Sequence, residues 1–576
     1  MTGSPAASQL SPGTRAQALR RMASTRYDVL VLGGGVTGAG VALDAATRGL
    51  SVALVEMRDY AAGTSGRSGK LIHGGLRYLE QRDFALVREA LRERALMLRV
   101  LCPHLVRPIQ FLYPLRHRIW ERAYVGAGLL LYDTLGGAGA VPRHRHLSRR
   151  GVRALAPGLD AGKVTGAITF HDLQIDDSRH TVELVRTAAA HGADVAAAAK
   201  AVRLRVEAGA VTGATVRDLL TGDEFDVLAD HVVSATGVWT DSVTRMTGKP
   251  AGFTVRASKG VHIMVPRSRI DLRLSMFVRA TDSVLFVRSW RDHWLIGTTD
   301  TPWTHHPDDP AATAADVDYL LHNVNRVVRH KLTTEDVDGV FAGLRPLRRG
   351  RASTTSRLSR EHAVESPVPG LITVTGGKYT TYRVMAADAV DLVVRQRGRP
   401  DLRAKTRQQP LIGAVGYRRA REEFPDRARQ RGLSQDQAEH LLRRYGSLVW
   451  DLDALIAARP RLAAPIEGAP GYLAVEAVYA ASHEGALHLD DVLTRRTHIA
   501  IETPDHGVAA APVVAGLIAP VLGWDENQIT AQLRWYRARV EAESAARQLP
   551  DDASAIAATD AVRDPRLVVA DKEVLD

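Results

Sequence analysis

The sequence predicts an α/β protein with a parallel-sheet domain, a separate antiparallel sheet and an all-helical C-terminal domain. Residues 27–56 have the pattern of a strand, a glycine-rich turn, a helix and a second strand, which is a complete βαβ unit. Residues 253–297 alternate in the manner of antiparallel strands and contain a hairpin signature. From about Asp401 the strand signals vanish, and helical periodicity with mixed charge replaces them.

Composition limits the class of protein. The chain has 576 residues, of which 45% are hydrophobic and 24% charged, so a wholly disordered or fibrous protein is excluded. Cys102 is the only cysteine, which excludes an intrachain disulfide and a cysteine-based zinc site. We predict no metal site. Because disulfides belong to oxidising compartments, we expect a cytoplasmic protein.

The net charge of +12 predicts an anionic partner, which could be a phosphorylated metabolite, anionic lipid or nucleic acid. Residues 507–524 are uncharged and reach the lower length of a membrane span, but Pro512 and Pro520 interrupt them. We therefore predict buried helices there and no transmembrane helix. Residues 1–26 carry no apolar core and are expected to be flexible, as is part of the tail 550–576.

The first βαβ unit carries a dinucleotide fingerprint. Gly33, Gly35 and Gly38 form G-x-G-x-x-G directly after a short apolar strand, and Glu56 follows the second strand, 18 residues after Gly38. The glycines let the backbone approach a pyrophosphate, the helix N-terminus offers free N–H groups, and Glu56 can accept hydrogen bonds from ribose hydroxyls. The alternative is a tight turn without a ligand.

Two later strands also run into glycines. Residues 231–235 lead into Thr236 and Gly237, and residues 371–375 lead into Gly376, Gly377 and Lys378. Both turns could line the same cofactor, so Ala235, Gly237 and Gly377 are candidate contacts.

The segment 64–78 is dense in hydroxyls, glycines and cations and poor in core residues. Hydroxyls and backbone N–H groups can hold phosphates, and closely spaced glycines let a chain lie flat against a planar group. The alternative is a solvated loop. The candidate cofactor contacts in this segment are Thr64, Ser65, Ser68, Lys70, His73 and Gly74.

Five motifs resemble the family of FAD-dependent glycerol-3-phosphate dehydrogenases, from residue 27 to the mid-390s and in the same order. They are SGKLIHGGLRYLE at 68–80, SATG at 234–237, GTTD at 297–300, LRPL at 344–347 and GGKYTTYR at 376–383. Residues 445–524 also resemble the helical C-terminal domain of this family. Tyr379, Gly69 and the charged run 348–351 depart from the usual family pattern.

The resemblance implies a glutathione-reductase-like FAD-binding domain interleaved with an antiparallel-sheet substrate domain. It also implies oxidation of sn-glycerol 3-phosphate to dihydroxyacetone phosphate. In the family, hydride passes to flavin N5 and electrons go on to membrane quinone. Family substrate contacts fall on Arg77, Tyr78, His262, Arg345, Arg360 and Lys378. FAD is expected to bind noncovalently, because no attachment motif is evident. A homodimer is left open.

The implied residues suit the chemistry of a secondary alcohol beside a phosphate. Arginines such as Arg345 can grip a phosphate dianion through paired hydrogen bonds. Lys378 can stabilise developing negative charge, and His262 is the candidate base. We therefore expect His262, Arg345 and Lys378 to be catalytic, with Arg77, Tyr78 and Arg360 binding the substrate.

The resemblance also sets expected domain boundaries. The oxidoreductase domain is expected at 27–400, with its FAD-binding part at about 27–80, 150–255 and 340–400. The substrate part is expected at about 81–149 and 256–339, and the helical C-terminal domain at 401–549.

A membrane contact is expected in residues 107–135, where arginines are mixed with Trp120, Tyr124 and apolar residues. Basic residues attract anionic headgroups, while Trp and Tyr favour the polar boundary of a bilayer. The alternative is an internal helix of the substrate domain. With this contact, the protein is expected to associate peripherally with the inner face of the cell membrane.

Three other functions compete with a quinone-linked dehydrogenase. The nearest is an oxygen-using glycerol-3-phosphate oxidase, which the short connection between His262 and Gly297 disfavours. A basic flavoprotein that binds RNA is disfavoured because no platform of interleaved aromatic and basic residues is present. A flavin-binding interaction protein without turnover would leave the converging cations unexplained. We expect no nucleic-acid partner.

Overall fold

A computed structural model of the chain describes residues 8–76, 79, 83–117, 119–136, 141–160, 162, 164–248, 255–280, 284–348 and 362–567. Two large sheets form its centre, and a helical region follows them in sequence.

The first sheet has parallel strands in its middle and carries the predicted βαβ unit. Its order is β17-β18-β10-β1-β2-β7, and a β8-β9 hairpin extends from β10. Leu32 at the end of β1 pairs with both Val55 and Ser234, so these parallel strands end at one edge. The strands are β1 Arg26–Leu32, β2 Val52–Val55, β7 Asp194–Ala196, β8 Ala199–Glu207, β9 Ala210–Asp218, β10 Glu224–Ser234, β17 His362–Val368 and β18 Leu371–Gly376.

The second sheet is mainly antiparallel, with the order β15-β11-β14-β13-β12-β4-β6-β3, while β16 pairs with β11 and β5 with β6. Its strands are β3 Leu71–Ile72, β4 Val106–Leu115, β5 Arg145–Leu147, β6 Gly166–Ile175, β11 Val255–Pro266, β12 Ser275–Arg279, β13 Val284–Trp290, β14 His293–Gly297, β15 Thr301–Trp303 and β16 Gly339–Arg348. Three strands of this sheet, β3, β6 and β16, lie in ranges expected for the FAD-binding part, which corrects those ranges. Which sheet a strand joins is decided by distant pairing partners, which local sequence does not specify.

Helices cover the sheets. Among them, α2 follows the glycine fingerprint and contacts both α6 and α9. Its residues are small and almost all buried, which allows this close packing. The helices of this part are α1 Pro12–Ser24, α2 Val36–Thr47, α3 Phe84–Leu96, α4 Trp120–Leu135, α5 Arg149–Leu155, α6 Asp177–Ala190, α7 Thr240–Arg245, α8 Ala314–Asn325 and α9 Tyr382–Gln396.

The C-terminal region is helical, as predicted, and it also contains a short hairpin of β19 Pro465–Ile466 and β20 Ala469–Leu473. The uncharged run contributes to α15, which is buried along one side. Within the described ranges, no helix combines the length and the apolarity needed to cross a bilayer. The helices are α10 Tyr417–Gln430, α11 Gln435–Tyr445, α12 Val449–Ala458, α13 Ala474–His483, α14 Ile499–Glu502, α15 Ala511–Leu522, α16 Glu526–Ala546 and α17 Asp552–Asp560.

The N-terminal segment corrects another expectation. We predicted that residues 1–26 would be flexible, but α1 is a capped helix in which Ser11 accepts a hydrogen bond from the Thr14 N–H. Arg15 forms a 2.6 Å ion pair with Asp218, and Met22 is fully buried. Although the helix has few apolar residues, it is held in place by its cap and its ion pairs rather than by a broad apolar face.

Buried ion pairs join the helical region to the first sheet domain. Arg496 donates to Asp59 at 2.6 and 2.7 Å, and Arg179 on α6 donates to Glu484 at 2.5 Å. All four side chains are almost wholly buried. Since each charge depends on its partner, these contacts fix how the two regions sit together.

Candidate active site

A cavity of about 510 Å³ is lined by residues of both sheets. Most of the residues predicted from the sequence meet on its wall. They are Gly33, Gly35, Glu56, Thr64, Ser65, Ser68, His73, Ala235, Gly237, His262, Arg345, Gly377 and Lys378. Arg77, Tyr78 and Arg360 lie outside the described residues.

The fingerprint glycines leave room where side chains would block the backbone. Gly33 has a φ of +104°, and a Cβ there would lie 2.8 Å from the carbonyl oxygen of Ala235. A Cβ on Gly38 would lie 1.9 Å from the carbonyl oxygen of Gly33. Gly38 is therefore absent from the cavity wall but holds α2 close to β1. The resulting open cradle at a helix N-terminus fits a pyrophosphate.

The acid after β2 stands at the same edge. Glu56 accepts hydrogen bonds from the Gly34 N–H at 2.7 Å and the Arg58 N–H at 2.9 Å. Burial raises the pKa of this carboxyl above its ordinary value, although these two hydrogen bonds oppose the shift. Glu56 lines the cavity beside the glycines, which is where a ribose of FAD would need an acceptor.

Hydroxyls of the segment after Glu56 shape the same wall. Ser65 accepts a hydrogen bond from the Val36 N–H at 2.9 Å, which satisfies one free donor at the start of α2. Thr64 donates to the carbonyl oxygen of Leu344 at 2.6 Å, and Ser68 donates to Asp177 at 2.6 Å. The segment is thus tied to both sheet domains, and the alternative of a solvated loop is wrong.

Two residues of this segment do not reach the cavity wall. Lys70 is buried and forms a 2.6 Å ion pair with Asp177, which holds its ammonium group away from this wall. Its role as a cofactor contact stays a prediction. Gly74 is also away from the wall, and its N–H donates to the hydroxyl of Tyr132 at 2.7 Å. The glycine is required there because a Cβ would lie 2.5 Å from a methyl carbon of Leu91.

His262 lies on β11, where it pairs with Gly297 of β14 and Phe341 of β16. It is buried, and desolvation lowers its pKa well below the ordinary value of histidine. The cations Arg288, Arg345 and Lys70 lower the pKa further. The imidazole is therefore neutral at physiological pH and able to accept a proton.

Arg345 lies on β16 with its guanidinium held by the loop after β14. Nη2 donates to the Thr298 hydroxyl at 3.0 Å and to the Thr299 carbonyl oxygen at 3.1 Å. Asp300 lies 3.5 Å from Nη1. These contacts fix the plane of the guanidinium at the cavity wall. Lys378, at the end of β18, reaches the wall from the other sheet domain and has a buried Nζ.

Sequence reasoning missed Arg288, Trp239 and Asp172, which also line the cavity. Arg288 lies on β13 two residues after Phe286, so both side chains are on the same face of the strand, and both line the cavity. An arginine at an inward position of an otherwise apolar strand was the available signal. Across the described ranges, no cluster of three or more His, Cys, Asp or Glu side chains is arranged to hold a metal ion.

Comparison with known proteins decides the family. Residues 28–387 match the model of FAD-dependent oxidoreductases, and residues 404–529 match that of the C-terminal domain of alpha-glycerophosphate oxidase. Glycerol-3-phosphate dehydrogenase 2 of Mycobacterium tuberculosis is 52% identical over 556 residues, covering 96% of this chain and 94% of that protein. The chain belongs to the FAD-dependent glycerol-3-phosphate dehydrogenase family.

Other members agree with this assignment. Glycerol-3-phosphate dehydrogenase of Mycobacterium leprae is 51% identical, covering 95% of this chain and 94% of that protein. The structure of glycerol-3-phosphate dehydrogenase from Bacillus halodurans complexed with FAD is similar with a TM-score of 0.77 and 27% identity, covering 92% of this chain and 98% of that one. The dehydrogenase fold and the FAD cofactor predicted from the sequence are thereby confirmed.

Proposed function

We propose that this dehydrogenase oxidises sn-glycerol 3-phosphate to dihydroxyacetone phosphate in the main cavity and delivers the electrons to membrane quinone. The observation that carries the proposal is the convergence of a neutral His262, a fixed Arg345 and Lys378 on one cavity whose other wall holds the fingerprint glycines. These residues come from both sheet domains, so the cavity can hold a cofactor and a small anionic substrate together.

The chain's own residues divide the work. Nε2 of His262 accepts the proton of the reacting hydroxyl, because this nitrogen faces Gly69, another residue of the wall. Arg345 offers a rigid cationic fork to the substrate, and Lys378 stabilises negative charge that develops on the oxygen. Both roles need a positively charged group, which an arginine and a protonated lysine supply.

FAD, when bound, supplies the acceptor for the hydride released from the carbinol carbon. Gly33, Gly35 and the N-terminus of α2 would hold its pyrophosphate, and Glu56 its ribose. We propose noncovalent binding, since these contacts need no covalent attachment. Acid precipitation should then release the yellow flavin into the supernatant, and colour retained in the pellet would contradict this.

Steady-state turnover tests the reaction. Purified enzyme should oxidise glycerol 3-phosphate with a soluble quinone or a dye as acceptor, while glycerol without the phosphate should react far more slowly. Under air without an added acceptor, little hydrogen peroxide should form. Fast peroxide formation would favour the oxidase, and no turnover with any acceptor would favour a flavoprotein with a binding function.

We further propose that α4 docks this enzyme on the anionic inner face of the cell membrane. Ile119, Trp120 and Tyr124 are 82%, 59% and 56% exposed, and Leu130 is also exposed on α4. Arg122 on the same helix adds positive charge beside the aromatic residues. Exposed aromatic and apolar groups next to cations are typical of a helix that lies in the interface of a bilayer. Flotation with vesicles of anionic or neutral lipid tests this.

A further inference from the structure

Arg288 is a buried arginine without sufficient hydrogen-bond acceptors. Its side chain lies on the wall of the main cavity, yet the residue is only 1% exposed. Among the described residues, neither Nε nor Nη1 of Arg288 has a hydrogen-bond partner. Burial lowers the pKa of Arg288 to about 9, which still leaves the guanidinium charged at neutral pH.

Other buried arginines of this chain are matched with carboxylates. Arg179 donates to Glu484, and Arg496 donates to Asp59. A buried cation without an anion is strongly unfavourable, because neither water nor a counter-charge compensates its desolvation. Unlike Arg179 and Arg496, Arg288 therefore has a desolvated charge that no carboxylate compensates through a direct hydrogen bond.

The local carboxylates are already engaged. Asp177 acts electrostatically on Arg288, but its oxygens accept hydrogen bonds from Ser68 and from Lys70, each at 2.6 Å. Asp300 is held by Ser258 and faces Arg345. Asp177 therefore pairs directly with Lys70 and acts on Arg288 only through space, so it does not supply the hydrogen bonds that the guanidinium of Arg288 needs.

Glycine at position 69 keeps the space in front of these cations open. A Cβ built on Gly69 would lie 3.4 Å from Nε2 of His262 and 3.6 Å from Nη2 of Arg288. The imidazole and the guanidinium thus approach one small region that holds no side chain of residue 69. An anion placed there would contact Arg288 while its remainder stays within reach of His262.

We propose that Arg288 is a substrate-binding residue that donates hydrogen bonds to the phosphate dianion of glycerol 3-phosphate. This inference rests on the proposed function, because it takes the phosphate of that substrate as the missing anion. A guanidinium matches two phosphate oxygens at once, so it fixes the orientation of the substrate as well as its charge.

The test is Arg288→Met, which keeps a long side chain and removes the charge. Phosphate binding is measured without turnover, as the change of the bound flavin's absorbance when inorganic phosphate is titrated. The dissociation constant for phosphate should rise at least about 30-fold, and kcat/KM for glycerol 3-phosphate should fall by a similar factor. Arg288→Lys should lie between the wild type and the Met variant. Arg273→Met, an exposed change in the same sheet domain, should match the wild type.

Thermal stability separates this role from a structural one. Without phosphate, Arg288→Met should melt no lower than the wild type, since an unfavourable buried charge has been removed. Phosphate should raise the Tm of the wild type but not of the variant. An unchanged phosphate constant, or a lower Tm of Arg288→Met without phosphate, would overturn the proposal. If the wild type binds phosphate through Arg288 yet does not oxidise glycerol 3-phosphate, the proposed function fails and the phosphate-binding role of Arg288 stands.

Discussion

The imidazole ring of His262 lies nearly parallel to the phenyl ring of Phe341, with centroids 5.0 Å apart and an angle of 12° between the planes. On its other side, the ring occupies the space that a side chain at Gly297 would need, since a Cβ there would lie 2.1 Å from Cδ2 of His262. Phe341 and the backbone at Gly297 therefore confine the imidazole ring from both sides. In the proposed role of general base, His262 would need no reorganisation before it accepts a proton.

The first prediction concerns pH and His262. Because the pKa of His262 is held below its ordinary value, its neutral form persists to lower pH than in a solvated histidine. We therefore expect kcat, measured at saturating glycerol 3-phosphate as a pH–rate profile, to stay constant as pH falls to about 6.5, the ordinary pKa of histidine, and to decline only below that. His262→Gln should lower kcat by about 10²- to 10⁴-fold and abolish this acid limb. The exposed His322→Gln should leave the profile unchanged.

The second prediction concerns Arg345. Arg345→Lys keeps the charge but loses the fork that Thr298 and Thr299 hold in plane. We expect a loss of about 2 to 3 kcal/mol of transition-state stabilisation, or about 30- to 150-fold in kcat/KM. FAD content should remain normal. Steady-state kinetics with glycerol 3-phosphate decide this, and activity equal to that of the exposed control Arg273→Lys would remove Arg345 from the site.

The third prediction concerns Gly38. Gly38→Ala should greatly reduce the FAD content of the purified protein, because the new methyl group would push α2 away from Gly33. Flavin absorbance relative to protein absorbance measures this. Gly516→Ala on α15 is the matched control, since a Cβ there meets nothing within 4 Å. That control should keep its flavin, and equal flavin loss in both variants would contradict the packing argument.

The fourth prediction concerns the membrane surface of α4. Replacing both Trp120 and Tyr124 with Ser should weaken binding to anionic vesicles about tenfold or more, because large exposed rings would no longer enter the interface. High salt should weaken wild-type binding as well. Leu220→Ser removes an exposed apolar group elsewhere and should have no effect. Flotation of the double variant at the wild-type level would exclude α4 as the docking helix.

The fifth prediction concerns the domain interface. Asp59→Asn removes the carboxylate shared by Arg495 and Arg496. Arg495 still pairs with Asp490 and Asp491, but among the described residues the buried Arg496 keeps only the carbonyl oxygen of Glu484 as an acceptor. We expect a loss of about 3 to 5 kcal/mol in the free energy of unfolding, seen as a lower urea midpoint. Asp401→Asn, in an exposed ion pair with Arg399, should barely move the midpoint. Equal midpoints for the two variants would show that the interface does not depend on Asp59.

The accuracy of the sequence-based predictions depended on how local each signal was. Gly33, Gly35 and Gly38 could be placed because their spacing alone specifies a strand, a turn and a helix. The side chain of Lys70 could not be placed, because its orientation is set by the ion pair with Asp177, which lies 107 positions away. Arg288 was missed because strand alternation separates two faces but does not tell which of them a cavity adjoins.

The N-terminal segment shows the same limit. Its composition lacks an apolar face, so periodicity could not predict that it packs. In the structure, Ser11 and Thr14 cap α1, and Asp218 holds Arg15. The capping partners Ser11 and Thr14 are three residues apart, whereas Arg15 and Asp218 are more than two hundred apart. Only the short-range contact can be recognised from the sequence.

The N-terminal segment also determines how far the protein can be shortened at its N-terminus for expression. The matched oxidoreductase region starts at residue 28, which invites an expression boundary just before it. Such a cut would remove Leu10, whose backbone exchanges hydrogen bonds with His483 and Gly485, and Ser8, whose carbonyl receives Arg186. The protein would then lack the N-terminal segment that hydrogen-bonds to the helical region at His483 and Gly485. Purification tags therefore belong ahead of Ser8, and shorter versions should be expected to yield protein whose helical region is loosened and open to proteases.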